Sequence, residues 1–179
     1  MIETRSLRLV PCELRHFEAI LTDAAELENM LGVTLTEQWI EFPDSMTTGR
    51  DYLESHPEIL GWWTYLFLHA GDQALIGVGG FAGPPTENGI VEIGYSIAPG
   101  YRGRGLATEA AQGLIDHALS HPQIAIVDAH TLNEPNASTR VLEKVGMKKI
   151  GTSHDKDAGE VWHWRLTRES YLTLRSQGS

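Results

Sequence analysis

A short loop rich in glycine and arginine, Arg102-Gly103-Arg104-Gly105-Leu106-Ala107, constrains this chain more than any other segment. A strand-like run at residues 90–98 precedes the loop, and an apolar stripe at helical spacing follows it. Glycine lets the backbone turn tightly and approach a ligand closely, and the first N–H groups of a helix attract anions. The segment therefore predicts a strand–loop–helix unit whose loop binds an anion such as a pyrophosphate, with both arginines adding charge.

Other interpretations of the glycines remain open at this point. The loop could be an ordinary strand-to-helix turn with two solvated arginines. Residues 77–82 match the dinucleotide-binding pattern G-x-G-x-x-A, but they lie inside a predicted strand instead of opening a helix, so we reject that match. Gly103 and Gly105 begin the same pattern, but Thr108 stands where glycine or alanine is expected. A nicotinamide-dependent enzyme is therefore the weaker alternative.

The remaining periodicities predict an α/β fold with a mixed sheet and helices on its faces. Asn136 is a natural N-cap and Gly146 a natural helix stop. The predicted order is strand, helices, three strands, helix, strand, helix and two strands. The strands are expected at residues 7–10, 62–69, 73–83, 90–98, 124–131, 148–154 and 160–166, with one amphipathic helix over 14–31 and a short helix over 48–55.

Composition excludes several classes of protein. The 179 residues are expected to form a single domain, 1–179. The formal charge of −10 argues against nucleic acid or an anionic membrane as a partner, because both need a basic face. The one cysteine, Cys12, cannot form an internal disulfide, and no signal peptide or membrane-spanning run is evident, so we expect a cytoplasmic location. His117 and His121 lack a third ligand, so we expect a solvated helix face and no metal.

Two longer segments resemble a known family. Residues 93–110 resemble motif A of the GNAT acyltransferases, and are closest to the RimJ/RimL-like branch, named for ribosomal-protein N-terminal acetyltransferases. Arg102, Gly105 and Ala107 fill the loop pattern of that family. Residues 136–147 are similar to the signature of its fourth helix. With weaker matches at both ends, the resemblance covers most of the chain except about residues 32–61.

The resemblance implies the GNAT fold: a central, mostly antiparallel sheet splayed at the acetyl-CoA site, with helices on both faces. It also implies acetyl transfer from acetyl-CoA to a primary amine, with the pantetheine arm between the strands at 90–98 and 124–131. Asn133 or Asn136 would replace the asparagine of the family, whose position holds Pro135 here. The other implied coenzyme contacts are the backbone groups of Ser96, Ile97, Ala98, Arg102, Gly103, Arg104, Gly105, Leu106 and Ala107.

Acetyl transfer also requires proton transfer, because amines are mostly protonated at neutral pH. Strand alternation places Glu92, Gly94 and Ser96 on one face, and Glu92 is the candidate general base. It could instead be a strand glutamate bonded to a neighbour. Ser138 is the candidate acid for the departing thiolate, since Leu142 occupies the place of the tyrosine that many relatives use. An ordinary first-turn serine, with water as the acid, is the alternative.

The acceptor could be a protein N-terminus, a polyamine or a drug, and by analogy the region 31–55, with Trp39 and Phe42, would bind it. A catalytically silent acyl-CoA-binding module of the same fold is a second alternative. Relatives often dimerise, so a homodimer is an open alternative.

Overall fold

The structure, a computed structural model, describes residues 1–178 and contains one mixed sheet in the order β1-β2-β4-β5-β6-β7-β9-β8, with a short β3 parallel to β5. The strands are β1 (Ile2–Glu3), β2 (Leu7–Pro11), β3 (Thr34–Leu35), β4 (Thr64–His69), β5 (Ala74–Phe81), β6 (Ile90–Ile97), β7 (Ile126–Leu132), β8 (Lys148–Asp155) and β9 (Gly159–Thr167). The helices are α1 (Leu14–Thr22), α2 (Ala24–Leu31), α3 (Ser45–Ser55), α4 (Leu106–Ser120), α5 (Ala137–Lys144) and α6 (Arg168–Gln177).

Helices cover both faces of the sheet, as predicted. On β4, Tyr65 and Phe67 join a core that includes Leu114 of α4, whereas the alternate residues Leu66 and Leu68 join a second core with helices α1 to α3. This alternation follows from the two-residue period of a strand. The sheet therefore separates α1, α2 and α3 from α4 and α5.

The sheet opens between β6 and β7. These strands run parallel and pair over only three positions, ending at Glu92 opposite Asp128. On its other edge β6 stays paired with β5 as far as Ile97. The two strands therefore diverge beyond Glu92, which confirms the expected splay in a mostly antiparallel sheet.

The glycine run at residues 77–82 lies within β5 and its end, so its rejection as a dinucleotide fingerprint is confirmed. A Cβ added at Gly79 would lie 2.8 Å from the Cα of Tyr95 and 2.5 Å from Phe67. These glycines therefore permit close approach of β5 to its neighbours. The mostly antiparallel sheet also differs from the parallel sheet of a Rossmann enzyme.

The structure corrects some of the expected elements. The single helix predicted over residues 14–31 is two helices, because Asp23 leaves helical geometry and its side chain caps α2 by accepting from Ala25 N and Glu26 N. The apolar periodicity continues across this break, so the periodicity alone could not reveal that the helix ends at Asp23. Three further elements, β1, β3 and α6, are not among those predicted from the sequence.

His117 and His121 do not form the solvated face that the sequence predicts. Both rings pack against Trp62, with centroid distances of 5.8 and 5.1 Å, and burial lowers the pKa of His117, as do His121 and the N-terminus. Within residues 1–178, no group of three or more His, Cys, Asp or Glu side chains is arranged to hold a metal ion. No helix in that range is long and apolar enough to cross a membrane.

Candidate active site

The glycine loop connects β6 to α4 through two left-handed backbone positions. Gly103 and Gly105 have φ angles of 75° and 76°, and Gly105 is the N-cap of α4. A Cβ added at either position would meet no atom within 4 Å, so the loop presents bare backbone to open space. The first N–H groups of α4 have no partner within the helix, and they point toward the loop. This arrangement suits an anionic group.

A cavity of about 280 Å³ lies beside this loop. It is lined by Ile97, Tyr101, Arg102, Gly103, Gly105, Leu106, Ala107, Thr108, Ala137, Arg140, Val141 and Lys144. Arg140 and Lys144 come from α5, and the sequence analysis did not single them out. Their spacing of four residues puts both on one face of the helix, and they lie within the second family-like segment. This spacing of two cationic residues is the feature from which the sequence could have predicted a second source of positive charge beside the loop.

The two loop arginines have structural partners. Arg102 lines the cavity, and its Nε donates to the carbonyl oxygen of Ile97 at 3.0 Å. Arg104 donates to the carbonyl of Gly100 at 3.2 Å and lies over the ring of Tyr101. Its Nη1 is also 3.9 Å from Asp72, in the turn between β4 and β5. Arg104 is not among the residues that line the cavity.

A smaller cavity of about 190 Å³ continues the first toward the diverging strands. It shares five residues with the larger cavity, which makes the two a continuous cleft between β6 and α5. Glu41 and Ser96 meet at this end, where Ser96 Oγ donates to Glu41 Oε2 at 3.2 Å. The lining residues of the smaller cavity are Glu41, Tyr95, Ser96, Ile97, Arg102, Ala107, Ala137, Ser138 and Val141.

The backbone of β6 presents alternate residues to this cleft. Ala98 donates its N–H to Ile76 O on β5 at 2.7 Å, and its carbonyl accepts from Tyr101 N at 2.9 Å. Ser96 is also turned toward β5, because its carbonyl oxygen lies where a Cβ at Gly77 would be. The backbone groups of Tyr95 and Ile97 therefore face the side from which β7 has separated.

Glu92 lies at the last pairing position before the strands separate. Its Oε1 is 2.8 Å from His130 Nδ1, and its side chain is 43% exposed. Glu92 therefore has a partner on β7 as well as access to solvent. A strand glutamate bonded to a neighbour is one of the two roles that the sequence predicts for Glu92, but the sequence does not identify His130, because the register that brings β6 and β7 together is not visible in either segment alone.

A buried carboxylate, that of Asp128, lies on the same face of the sheet as Glu92. Arg165 donates from Nε and Nη2 to the two oxygens of Asp128, both at 2.8 Å, and Asp128 is 6% exposed. His163 Nε2 lies 2.9 Å from Asp128 Oδ2, although its N–H is not aligned for a hydrogen bond. Burial opposes ionisation of the Asp128 carboxyl, but Arg165 and His163 outweigh it and hold its pKa below the ordinary value.

The start of α5 brings one of the remaining predicted residues, Ser138, to the cleft. Ser138 lines the smaller cavity, where Tyr95 Oη donates to its carbonyl at 3.4 Å. Burial raises the pKa of Tyr95, so its hydroxyl stays protonated. Asn136 is the N-cap of α5, and its Oδ1 accepts from Thr139 N at 2.9 Å. Asn133 is exposed in the segment between β7 and α5.

In the region expected to bind the acceptor, Trp39 is buried in the core, Phe42 is 68% exposed, and Glu41 is the residue that reaches the cleft. Nothing in the sequence distinguishes Glu41 from neighbouring acids. The position of Glu41 depends on the path of the loop between β3 and α3, and the sequence of that loop has no periodic pattern from which the path could be predicted.

Comparison with known proteins agrees with this architecture. The family model described as acetyltransferase (GNAT) domain matches residues 7–148. The chain belongs to the GNAT acetyltransferase family. A curated relative, the uncharacterized N-acetyltransferase YjdG of Bacillus subtilis (strain 168), is 28% identical over 148 residues, which cover 82% of this chain and 88% of the relative.

Solved structures share the GNAT fold at low sequence identity. A chimera of spermidine N-acetyltransferase SpeG from Vibrio cholerae and hSSAT has a TM-score of 0.69 at 16% identity, covering 93% of this chain and 98% of that one. RimL, a ribosomal L7/L12 alpha-N-protein acetyltransferase in complex with coenzyme A, has a TM-score of 0.66 at 18% identity, covering 92% of this chain and 95% of that one. At these identities the likeness establishes the fold.

Proposed function

We propose that this protein transfers the acetyl group of acetyl-CoA to a primary amine by direct attack in a ternary complex. The observation that carries this proposal is the continuous cleft that runs from the glycine loop to Tyr95 and Ser96 of β6, beyond the last β6–β7 pair at Glu92. Acetyl-CoA supplies an acetyl thioester, whose carbonyl carbon is open to attack by an amine. Binding both substrates in one cleft would supply much of the rate acceleration through positioning.

The residues present fit an acyl-CoA. The backbone from Arg102 to Ala107 and the N-terminus of α4 would hold the pyrophosphate, with positive charge from Arg102, Arg140 and Lys144. The backbone groups of Tyr95 and the N–H of Ile97 are available to pair with the pantetheine arm, whereas the Ile97 carbonyl already accepts from Arg102. The coenzyme A bound to RimL supports the same class of ligand here.

The proposed proton acceptor is the Glu92 carboxylate. Amines have pKa values of about 8 to 10, so most acceptor molecules carry a proton that must leave before attack. The ammonium N–H bond breaks as an O–H bond forms on Glu92, which later releases that proton to water. The neutral amine nitrogen then bonds to the acetyl carbon, a second N–H proton leaves to water, and the C–S bond breaks to give the amide and a thiolate that is protonated in turn. Ser138 and Tyr95 are the proposed hydroxyl donors to the departing sulfur, because both line the smaller cavity.

The proposed acceptor is a cationic amine. Glu41 lies at the end of the cleft near Ser96, and Glu92 is partly exposed where the strands diverge, so two carboxylates border the path to the thioester. The structural relatives include enzymes named for spermidine and for a ribosomal protein N-terminus. The motif resemblance favours the RimJ/RimL-like branch within the family. A polyamine and a protein N-terminus are therefore the first acceptors to test.

A thermal-shift titration with acetyl-CoA tests the binding site without knowledge of the acceptor. Ligand at 100 times its Kd adds about 2.7 kcal/mol of stability, which for a chain of this size raises Tm by about 5 to 11 °C. NAD should give no shift. The double variant Arg140→Glu/Lys144→Glu should lose most of the shift, whereas the matched control Lys156→Glu, in the exposed turn between β8 and β9, should keep it. No shift over a wide range of acetyl-CoA concentrations would contradict the proposal.

Thiol release from acetyl-CoA in the presence of spermidine, or of a peptide with a free N-terminus, tests turnover. Acetylation that depends on Glu92 would support the proposed chemistry, with a large loss of kcat in Glu92→Gln. Binding of acetyl-CoA without turnover across a broad panel of amines would instead support a silent acyl-CoA-binding module.

A further inference from the structure

A carboxylate–imidazole pair stands where β6 and β7 begin to diverge. Glu92 Oε1 lies 2.8 Å from His130 Nδ1, and the Glu92 backbone is paired with Asp128. His130 is two residues beyond Asp128 on β7, so both side chains are on the same face and His130 reaches Glu92 diagonally. The Glu92 side chain is 43% exposed and that of His130 is 30% exposed. The pair is therefore accessible from the open face of the sheet.

The His130 ring is held from its other side by β9. It stacks on His163 with a centroid distance of 4.6 Å and an interplanar angle of 22°. His163 in turn lies against Asp128, which Arg165 fixes with two hydrogen bonds. Stacking fixes the plane of the His130 ring, and the Arg165–Asp128 pair limits the movement of the second ring. Together they keep Nδ1 directed at Glu92.

We propose that His130 is a positioning residue for the Glu92 carboxylate, an inference that rests on the acetyl-transfer function proposed above. An ionised carboxylate only accepts hydrogen bonds, so the 2.8 Å contact places a hydrogen on Nδ1. Donation from Nδ1 to Oε1 fixes the rotation of the carboxylate and leaves Oε2 to take the ammonium proton. In this role His130 does not touch the substrate.

Kinetics of three variants test this inference, using acetyl-CoA with spermidine or with a peptide that has a free N-terminus. His130→Leu should lower kcat by about 10- to 100-fold, the effect of losing a hydrogen bond to a charged group, with KM for acetyl-CoA nearly unchanged. His130→Asn, whose amide N–H can replace Nδ1–H, should recover most of kcat. The matched control His154→Leu, an exposed histidine on β8, should behave as the wild type.

Other outcomes would overturn the inference. A kcat for His130→Leu close to that of the wild type would do so, as would equal impairment of the Leu and Asn variants. A wild type that neither binds acetyl-CoA nor acetylates an amine would overturn the proposed function itself.

An NMR measurement tests the hydrogen bond without any turnover. Long-range ¹H–¹⁵N spectra should place the proton of neutral His130 on Nδ1 in the wild type and show a shift of that proton toward Nε2 in Glu92→Ala. His154 provides the reference imidazole, which should be the same in both proteins. A wild-type His130 with its proton on Nε2 would contradict the inference.

Discussion

Arg102 donates from Nε to the main-chain oxygen of Ile97, 3.0 Å away, and so fastens the glycine loop to the end of β6. The same side chain lines the larger cavity. Arg102 therefore combines two roles, since it shapes the loop and places charge beside it. Arg104 has the same side chain and lies two residues further on, but it is held between Tyr101 and Asp72. The two arginines of the glycine loop thus have different environments.

This difference predicts unequal effects of removing the two arginines. Arg102→Ala should weaken binding of acetyl-CoA by about 10- to 100-fold, because a charge-assisted hydrogen bond is worth about 1.5 to 3 kcal/mol and the loop loses its anchor. Arg104→Ala should weaken binding by less than about threefold, as expected for an exposed charge. Isothermal titration calorimetry of both variants measures the two Kd values. Equal losses, or a larger loss in Arg104→Ala, would contradict the assignment.

The Asp128–Arg165 pair predicts a pH-dependent stability. Because the folded-state pKa of Asp128 is below its ordinary value, the stability that its carboxylate contributes is present above about pH 4 and is lost as pH falls through the folded-state pKa. Asp128→Asn should therefore reduce the free energy of unfolding by about 2 kcal/mol at pH 7, which is less than the roughly 3 to 5 kcal/mol of a fully buried broken pair because Arg165 is partly exposed.

Urea denaturation at pH 7 and at pH 3 measures this difference. It should shrink at pH 3, where the wild-type carboxylate is closer to protonation. A difference of the same size at both pH values would show that the variant loses packing rather than an ionised group.

The helices and strands with strong local signals were predictable. The turn between β4 and β5, the N-cap at Asn136 and the strand–loop–helix unit ending in α4 each depend on residues close together in the chain. The break at Asp23 was not predictable from periodicity, because α1 and α2 continue one apolar stripe. The packing of His117 on Trp62 joins residues 55 positions apart, and no local pattern records it.

The candidate site likewise combines local features that the sequence predicts with contacts between distant segments that it does not. The glycine loop is a contiguous motif, and its position beside a cavity follows from the strand and helix that flank it. Glu41, Arg140 and His130 reach the cleft from separate segments, so their roles depend on strand register and loop path. A one-residue change of register on β7 would turn His130 to the opposite face. Sequence could name Glu92 as an acid near the splay, but not its partner.

Two glycines on neighbouring strands give a matched test of how closely β5 and β6 pack. Gly79→Ala should lower the free energy of unfolding by about 2 to 3 kcal/mol, because its Cβ would overlap the Cα of Tyr95 and the ring of Phe67. Gly94→Ala should be neutral or stabilising by about 0.5 kcal/mol, since its Cβ meets no atom within 4 Å and alanine has less backbone freedom to lose. Chemical denaturation of both variants gives the values, and similar losses in the two would contradict the packing described here.

The two hydroxyls in the smaller cavity can be separated by a pair of conservative variants. Tyr95 Oη is a partly buried donor that lies 3.4 Å from the Ser138 carbonyl, and its raised pKa keeps it neutral beside a departing thiolate. It can therefore stabilise the sulfur by a hydrogen bond while water delivers the proton. Tyr95→Phe should lower kcat by about tenfold, the lower end for a hydrogen bond to a charged group, and leave KM for acetyl-CoA nearly unchanged.

Ser138→Ala should reduce kcat by less than about threefold, because water can reach the first turn of α5 and replace its hydroxyl. Steady-state kinetics with acetyl-CoA and spermidine compare the two variants, and thermal unfolding without ligand controls for loss of packing at Tyr95. A large loss of kcat in Ser138→Ala with a normal Tyr95→Phe would assign the donor role to Ser138. Normal kcat in both variants would show that water alone protonates the sulfur, or that release of a product limits the rate.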